Sequence, residues 1–375
     1  MLEWAAWSPA AAERPWTVGI EEEVLLLDPH DWSPANRVDD VLAALPSHLS
    51  AHACAETHAC VVELRTGPHD TVRDAVDELR QLRDGLNAVV AGRLGLRAAV
   101  AGTHPLARGE DVETASGARY REVEATMRAL AHREPTMAQH VHVAMPDGDT
   151  AVRALDRVRG ALPLLLALSA NSPFWRGADS GFASMRTPLF GAFPRTGMPR
   201  RFGNYGAYVR TVEQLLWTGA IPEPSFVWWD ARLQPRLGTL EVRIMDAQSR
   251  TTDAGALAAV VQCLARRAGV ESCMAAPELL AENRFLAARD GMRAQIVDPT
   301  LLEPRPMTTC VAHLLAACAP VARRLGCEEE LAAAAELAVA SGDARQREWA
   351  RQHGIAAVPA RLAAQFAPAR ETAVA

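Results

Sequence analysis

The chain has 375 residues, 49% of them hydrophobic, and a net charge of −6, which is enough for one large domain or two ordinary ones around a sizeable core. A sequence pI near 6.0 leaves no basic footprint for nucleic acid, and no run reaches the roughly 18 consecutive apolar residues of a membrane span. Seven scattered cysteines without a CxxC pair fit reduced thiols and a cytoplasmic location better than a disulfide framework or a zinc site.

In chain order, residues 1–15 read as a ragged lead-in without the charged region and long apolar run of a signal peptide. TVGIEEEVLLLD (17–28) is an extended segment with three central carboxylates, broken by Asp28-Pro29. ACVVELRTG (59–67) is β-branched and ends at Gly67-Pro68, as a second strand does. Val72, Val76, Leu79, Leu82, Leu86 and Val90 then recur at helical spacing up to Gly92. Residues 96–102 and QHVHVAMP (139–146) predict two further strands, and Val152 to Ala170 a helix that Pro163 kinks or divides. From Asn171 to Gly206 there is little periodicity, which predicts a long functional loop or lid. SFVWWDAR (225–232) and TLEVRIMD (239–246) predict a strand pair joined through Pro235 and Gly238, followed by a helix from about Asp253 to Arg267. The remaining third predicts only helices. Irregularly spaced strands and helices give one α+β domain, residues 16–370, with a mostly antiparallel sheet.

Four constellations put polar chemistry where core residues would be cheaper. In a strand, Glu21 and Glu23 share one face about 6–7 Å apart and Glu22 points to the other. Buried without partners, such carboxylates cost several kcal/mol each and need a cation, whereas on a solvent-facing edge they need none. Glu56 and Glu63 bracket the entry to the second strand, where Glu63 is open to an ion pair with Arg65. His140 and His142 share a strand face, an arrangement that ligates metals or contacts phosphate and carboxylate groups. Glu241 and Arg243 also share a face, either as an internal ion pair or as a ligand beside a guanidinium that grips phosphate or carboxylate. Hard divalent ions such as Mg2+ or Mn2+ take such oxygen-rich sets together with substrate phosphates. Neither GxxxxGK[ST], GxSxG nor HExxH occurs, which disfavours P-loop, serine-hydrolase and zincin chemistry.

Together VGIEEEVLLLD, GTHP (102–105), ARYREV (118–123), QHVHVAMP, the long motif at 162–199 and WWDARLQPRLGTLEVRIMDAQSR (228–250) resemble the glutamate–cysteine ligase type 2, or carboxylate–amine ligase, family. ENRFLAARDG (282–291) adds weaker support. The resemblance implies a fold like the glutamine synthetase catalytic domain, a curved, mostly antiparallel sheet with helices on its outer face. It also implies metal ligands at Glu21, Glu23, Glu56, Glu63, His140 and Glu241, with His142 left to reach substrate or phosphate.

The implied reaction uses ATP and Mg2+ or Mn2+ to convert a carboxylate, in the family's namesake the γ-carboxylate of glutamate, into an acyl phosphate that an amine such as cysteine then attacks. Arg243 is expected to stabilise the phosphoryl group, Glu23 to act in the catalytic metal set and Arg65 to hold the substrate carboxylate. Arg232 is expected to contact ligand, with Arg186 and Arg195 closing over it from the long loop. Relatives often associate as dimers or larger, so a homodimer is among the expected partners. Gln139, where the family pattern has glycine, is expected to reshape the acceptor pocket together with the 171–206 loop. A guanidino-kinase-like phosphotransferase and a non-catalytic binding relative are the alternatives.

Overall fold

A computed structural model describes residues 2–267, 273–299 and 301–366; residues 367–370 of the expected domain lie outside them. The sheet comprises β1 (Val18–Leu27), β2 (Ala53–Ala55), β3 (Val61–Arg65), β4 (Arg97–Ala99), β5 (Ala138–Ala144), β6 (Ala231–Gln234) and β7 (Thr239–Asp246). Its order is β6-β7-β5-β1-β3-β2, with β4 pairing the far half of β1. Every pairing is antiparallel. β1 is central because its ends are apolar on both faces, as a strand covered on both sides must be.

One face of the sheet is covered by helices. Among these are α2 (Val72–Gly92), which packs on β1, and α5 (Thr251–Arg266), which packs on β5; α1 (Pro9–Glu13), α3 (Gly148–Val158) and α4 (Leu162–Ser169) precede α5 in the chain. Thr71 caps α2 by accepting the Asp74 amide at 3.1 Å, and the six apolar residues read at helical spacing are all buried. Glu22 points to this face, where Arg83 of α2 donates to it from Nε at 2.8 Å and also from Nη2. The same guanidinium reaches the carbonyls of Gln248 and Ser249 at 2.7 and 2.9 Å. A forked, fully bonded arrangement of this kind offsets the cost of burying both charges.

The helix expected at 152–170 is divided at the short turn Arg159–Ala161, and Pro163 sits in the first turn of α4, where its missing N–H costs nothing. The C-terminal third is mostly α6 (Pro277–Asp290), α7 (Met307–Leu325), α8 (Glu328–Val339), α9 (Gly342–His353) and α10 (Val358–Phe366). An unforeseen hairpin pairs Gln295–Val297 with Pro304–Pro306.

Two expectations need correction. The lead-in is not ragged: α1 and a short turn at Glu3–Ala5 are docked, with Trp7 Nε1 donating to Met145 O at 3.0 Å and Tyr205 OH donating to Ala5 O at 2.7 Å. The 171–206 segment is not a free lid either. Asn171 Nδ2 donates to Ala247 O at 2.8 Å, Thr196–Gly197 pairs in parallel with Trp228–Trp229, and Arg186–Phe190 is a short helix. Backbone pairing across sequence-distant segments supplies the order that local periodicity did not reveal.

Candidate active site

The face opposite the helices carries the site. The register sets Glu21 beside Arg65 on β3 and His140 on β5, and Glu23 beside Glu63. One row over, His142 lies between Gly19 and Glu241, and Glu241 faces Arg232. Glu56 follows directly on β2, where its Oε2 accepts from the Thr57 amide at 2.6 Å and hydroxyl at 3.0 Å. These side chains line a cavity of about 500 Å³.

Three ligand-spaced groups result: Glu21, Glu63 and His140; Glu21, His142 and Glu241; Glu23, Glu56 and Glu63. Within each group the donor atoms lie within 4.8 Å of one another. All six residues expected as ligands are thus brought together, and His142 joins them as a seventh candidate. His140 Nδ1 is 3.1 Å and His142 Nε2 3.3 Å from Glu21. Among the described residues, the buried Nε2 of each imidazole makes no hydrogen bond of good geometry, although that of His142 lies within ion-pair reach of Glu21.

The charges are unevenly compensated. Arg232 holds Glu241 at 2.6 and 3.1 Å, and Arg243 donates to it as well. Burial opposes ionisation of Glu241, but the two guanidinia outweigh it and keep the carboxyl far below its usual range. Burial also pushes Glu21 up, yet His142 and His140 together hold it well below. The third group has weaker relief. Among the described residues, Arg65 pairs with it at 3.7 Å from Glu63. Burial and then Glu56 push Glu23 up to about 8, despite Arg186, the Ala138 amide and Arg243. Burial, then Glu21, Glu56 and Glu23, raise Glu63 well above its ordinary value. His140 is lowered to about 4 by burial and Arg243, whereas for His142 the carboxylates of Glu21 and Glu241 outweigh burial and raise it.

The arginines divide by role. Arg243 lines the cavity beside His140, with Nη1 3.4 Å from its Nδ1. Arg65 is exposed at the cavity edge. Arg232 lines the cavity but is committed to Glu241 and, at 2.8 and 2.7 Å, to the carbonyls of Ser225 and Val227, so it orients Glu241 instead of offering a free fork to ligand. Arg186 is buried, donating to Ile244 O and Arg243 O at 3.1 and 3.2 Å. Arg195 does not reach the cavity: it donates to Phe226 O at 3.1 Å and Ala220 O at 3.4 Å and stacks over Trp228. Gln139 points the other way, donating to Ala254 O of α5 at 2.9 Å, and does not shape the cavity.

Sequence reasoning missed a β-bulge in β7, where the register slips between Val242 and Met245. The extra residue returns Asp246 to the cavity side, where it accepts from Ser172 Oγ at 2.6 Å, Ser184 Oγ at 2.8 Å and the Asn171 amide at 2.9 Å. It also missed Arg133, which lines the cavity and which nothing local marked; Arg236, at the β6–β7 turn close in sequence to Glu241 and Arg243, lines it as well.

Residues 17–361 match the family model described as glutamate–cysteine ligase family 2. A provisionally named glutamate–cysteine ligase 2-3 of Rubrobacter xylanophilus is 39% identical over 349 residues, covering 92% of this chain and 94% of the relative. A provisionally named glutamate–cysteine ligase 2 of Sorangium cellulosum is 37% identical, covering 84% and 86%. In fold, the chain is similar to the glutamate–cysteine ligase of Francisella tularensis, solved in complex with AMP, with a TM-score of 0.71 at 14% identity over 93% of this chain and 88% of that one. A bifunctional glutathione synthetase from Pasteurella multocida gives a TM-score of 0.68 at 15% identity, covering 93% of this chain and 52% of that one. The family match over residues 17–361 and relatives at 37–39% identity show that the chain belongs to glutamate–cysteine ligase family 2.

Proposed function

We propose that the chain is an ATP-dependent carboxylate–amine ligase using Mg2+ or Mn2+, which activates the γ-carboxylate of glutamate and joins it to an amine such as cysteine. The observation that carries this reading is the cation-poor group Glu23, Glu56 and Glu63, adjoining two groups that each add an imidazole. Oxygen and imidazole donors of this kind fit hard divalent ions. Relatives named as glutamate–cysteine ligases, and a structural neighbour solved with AMP, support the choice of reaction.

When bound, divalent ions would neutralise the phosphate oxygens and lower the barrier to phosphoryl transfer. Arg243, fixed by Glu241 and backed by Arg186, points its charge at the same cavity and stabilises the transferring phosphoryl group. His142 sits where it can contact phosphate, and Arg65 holds a substrate carboxylate. The substrate carboxylate attacks the γ-phosphorus as the bond to ADP breaks. The amine then attacks the acyl carbon, phosphate leaves, and the nitrogen loses its proton.

A second cavity of about 460 Å³ shares Glu21, Arg65 and His142 with the first. Its floor is small and uncharged at Gly19, Ala51, Pro68 and Ala144. This end suits the nucleoside, and the first cavity, which adds Arg133, Arg236 and Arg243, suits the amino-acid substrates.

The test is phosphate release by the purified protein with ATP, Mg2+, glutamate and a panel of amines, with products read by mass spectrometry. Amide formation dependent on both substrates is expected. A stable phosphorylated product would indicate a kinase, and no turnover across the panel would overturn the assignment.

A further inference from the structure

The family match begins at residue 17, yet Ala10, Ala11 and Arg14, which precede it, line the second cavity. We infer that α1 forms the outer wall of the nucleoside subsite and sets which nucleoside it admits, an inference that rests on the ligase reading and assigns a role to a segment outside the family motifs. The wall is fixed in place. Ser8 N donates to Pro235 O at 3.0 Å, and Trp7 donates to Met145 O and meets Tyr205 edge-on at 5.6 Å between centroids. Gly238, at φ +70°, leaves room for Ala11: a Cβ there would stand 2.3 Å from the Ala11 methyl. The β6–β7 turn that carries Leu237 into both cavities therefore also seats α1.

The lining indicates what the cavity accepts. Ala10 and Ala11 on one side and Gly19, Pro68 and Ala144 elsewhere present small apolar surfaces. Arg14 is drawn into an ion pair with Asp70 at 3.0 Å, and His52 Nδ1 lies 2.9 Å from Arg65 O. With those groups engaged, the remaining cationic groups of the described lining, Arg65 and His142, lie at the end shared with the first cavity, so the end toward α1 fits a flat neutral body better than a carboxylate. Glu21 and His142 lie where that body would continue into phosphates. Ala10 is exposed on the wall, so a larger side chain there fills the cavity without disturbing the packing of Ala11.

The experiment is calorimetric titration of the full chain, with Mg2+ present, using a non-hydrolysable ATP analogue and, separately, inorganic triphosphate. Ala10→Trp is expected to weaken the analogue at least tenfold and leave triphosphate within twofold. Ala10→Leu is expected to fall between the variant and the wild type, and serves alone if Ala10→Trp fails to fold. If the analogue's affinity is unchanged in the folded variants, or both probes weaken equally, α1 is not the wall of a nucleoside subsite, although the ligase reading stands. If the wild-type chain binds neither probe, the ligase reading falls first.

Discussion

At Glu22 and Glu23 two adjacent carboxylates leave β1 on opposite faces, and their neighbours give them different work. Glu23 lies with Glu56 and Glu63, a group whose ion pair is Arg65 at 3.7 Å from Glu63, whereas Glu22 is bonded by Arg83 at 2.8 Å. Glu23→Gln is expected to lower turnover by at least about 100-fold while the thermal midpoint holds or rises, because the cost of burying that carboxyl and keeping it protonated is removed. Glu22→Gln is expected to leave Arg83 poorly compensated and cost on the order of 3 kcal/mol of stability. Urea denaturation and steady-state rates on both variants separate the roles; full activity in Glu23→Gln would remove that residue from the metal set. His104 illustrates a purely structural titration. Its Nδ1 accepts from the amides of Leu106 and Ala107 at 3.0 and 2.9 Å, its Nε2 faces Trp32 O at 2.8 Å, and burial lowers it from the ordinary 6.5 to about 4. Above 6.5 both folded and unfolded chains hold it neutral; between 6.5 and about 4 only the unfolded chain gains the proton. Stability should therefore fall with pH across that window, by up to about 3 kcal/mol. The urea midpoint of His104→Gln should change less between pH 7 and pH 5 than that of the wild type, and equal slopes would contradict the assignment.

For the elements, what could be read in advance was what alternation fixes. A strand's two-residue period is local, so the shared faces of Glu21 with Glu23, His140 with His142 and Glu241 with Arg243 follow from spacing alone. The bulge in β7 changes that count by one residue and is set by partners far away in the chain. Asp246 consequently comes to rest on Ser172 and Ser184, residues whose spacing carried no periodic signal. Arg195 illustrates the reverse failure: a loop guanidinium looks available until its donors are found on Phe226 O and Ala220 O. Arg186 is the element-level counterpart, tying the short helix Arg186–Phe190 to the bulge carbonyls of Arg243 and Ile244. Arg186→Lys loses the planar fork and is expected to reduce kcat on the order of tenfold with little change in KM for ATP, because it frees Arg243 to drift without removing a ligand contact. A large rise in KM with unchanged kcat would instead make Arg186 a direct binding residue.

Taken as a whole, the molecule uses one sheet for two incompatible tasks. Its helix-covered face buries apolar residues and the satisfied Glu22–Arg83 pair, while the other face gathers five carboxylates and two imidazoles in three ligand-spaced groups. Two like charges about 5 Å apart repel by roughly 3 kcal/mol at an effective dielectric of 20, so this face resists folding unless protons or cations occupy it. Divalent ions should therefore stabilise the whole chain by mass action, by about 2.7 kcal/mol at 100 times their dissociation constant. Thermal unfolding with millimolar Mg2+ against chelator is expected to show a rise of a few degrees, roughly 2–4 °C per kcal/mol in smaller domains and less in a chain of this size. The Glu23→Gln, Glu63→Gln double variant gives the opposite pattern: a higher midpoint in chelator than the wild type, because repulsion is gone, and little further gain from Mg2+, because the third group has lost two ligands. A double variant that gains as much from Mg2+ as the wild type would mean that the ion binds elsewhere, and that the acidic face is held together by protons and arginines alone.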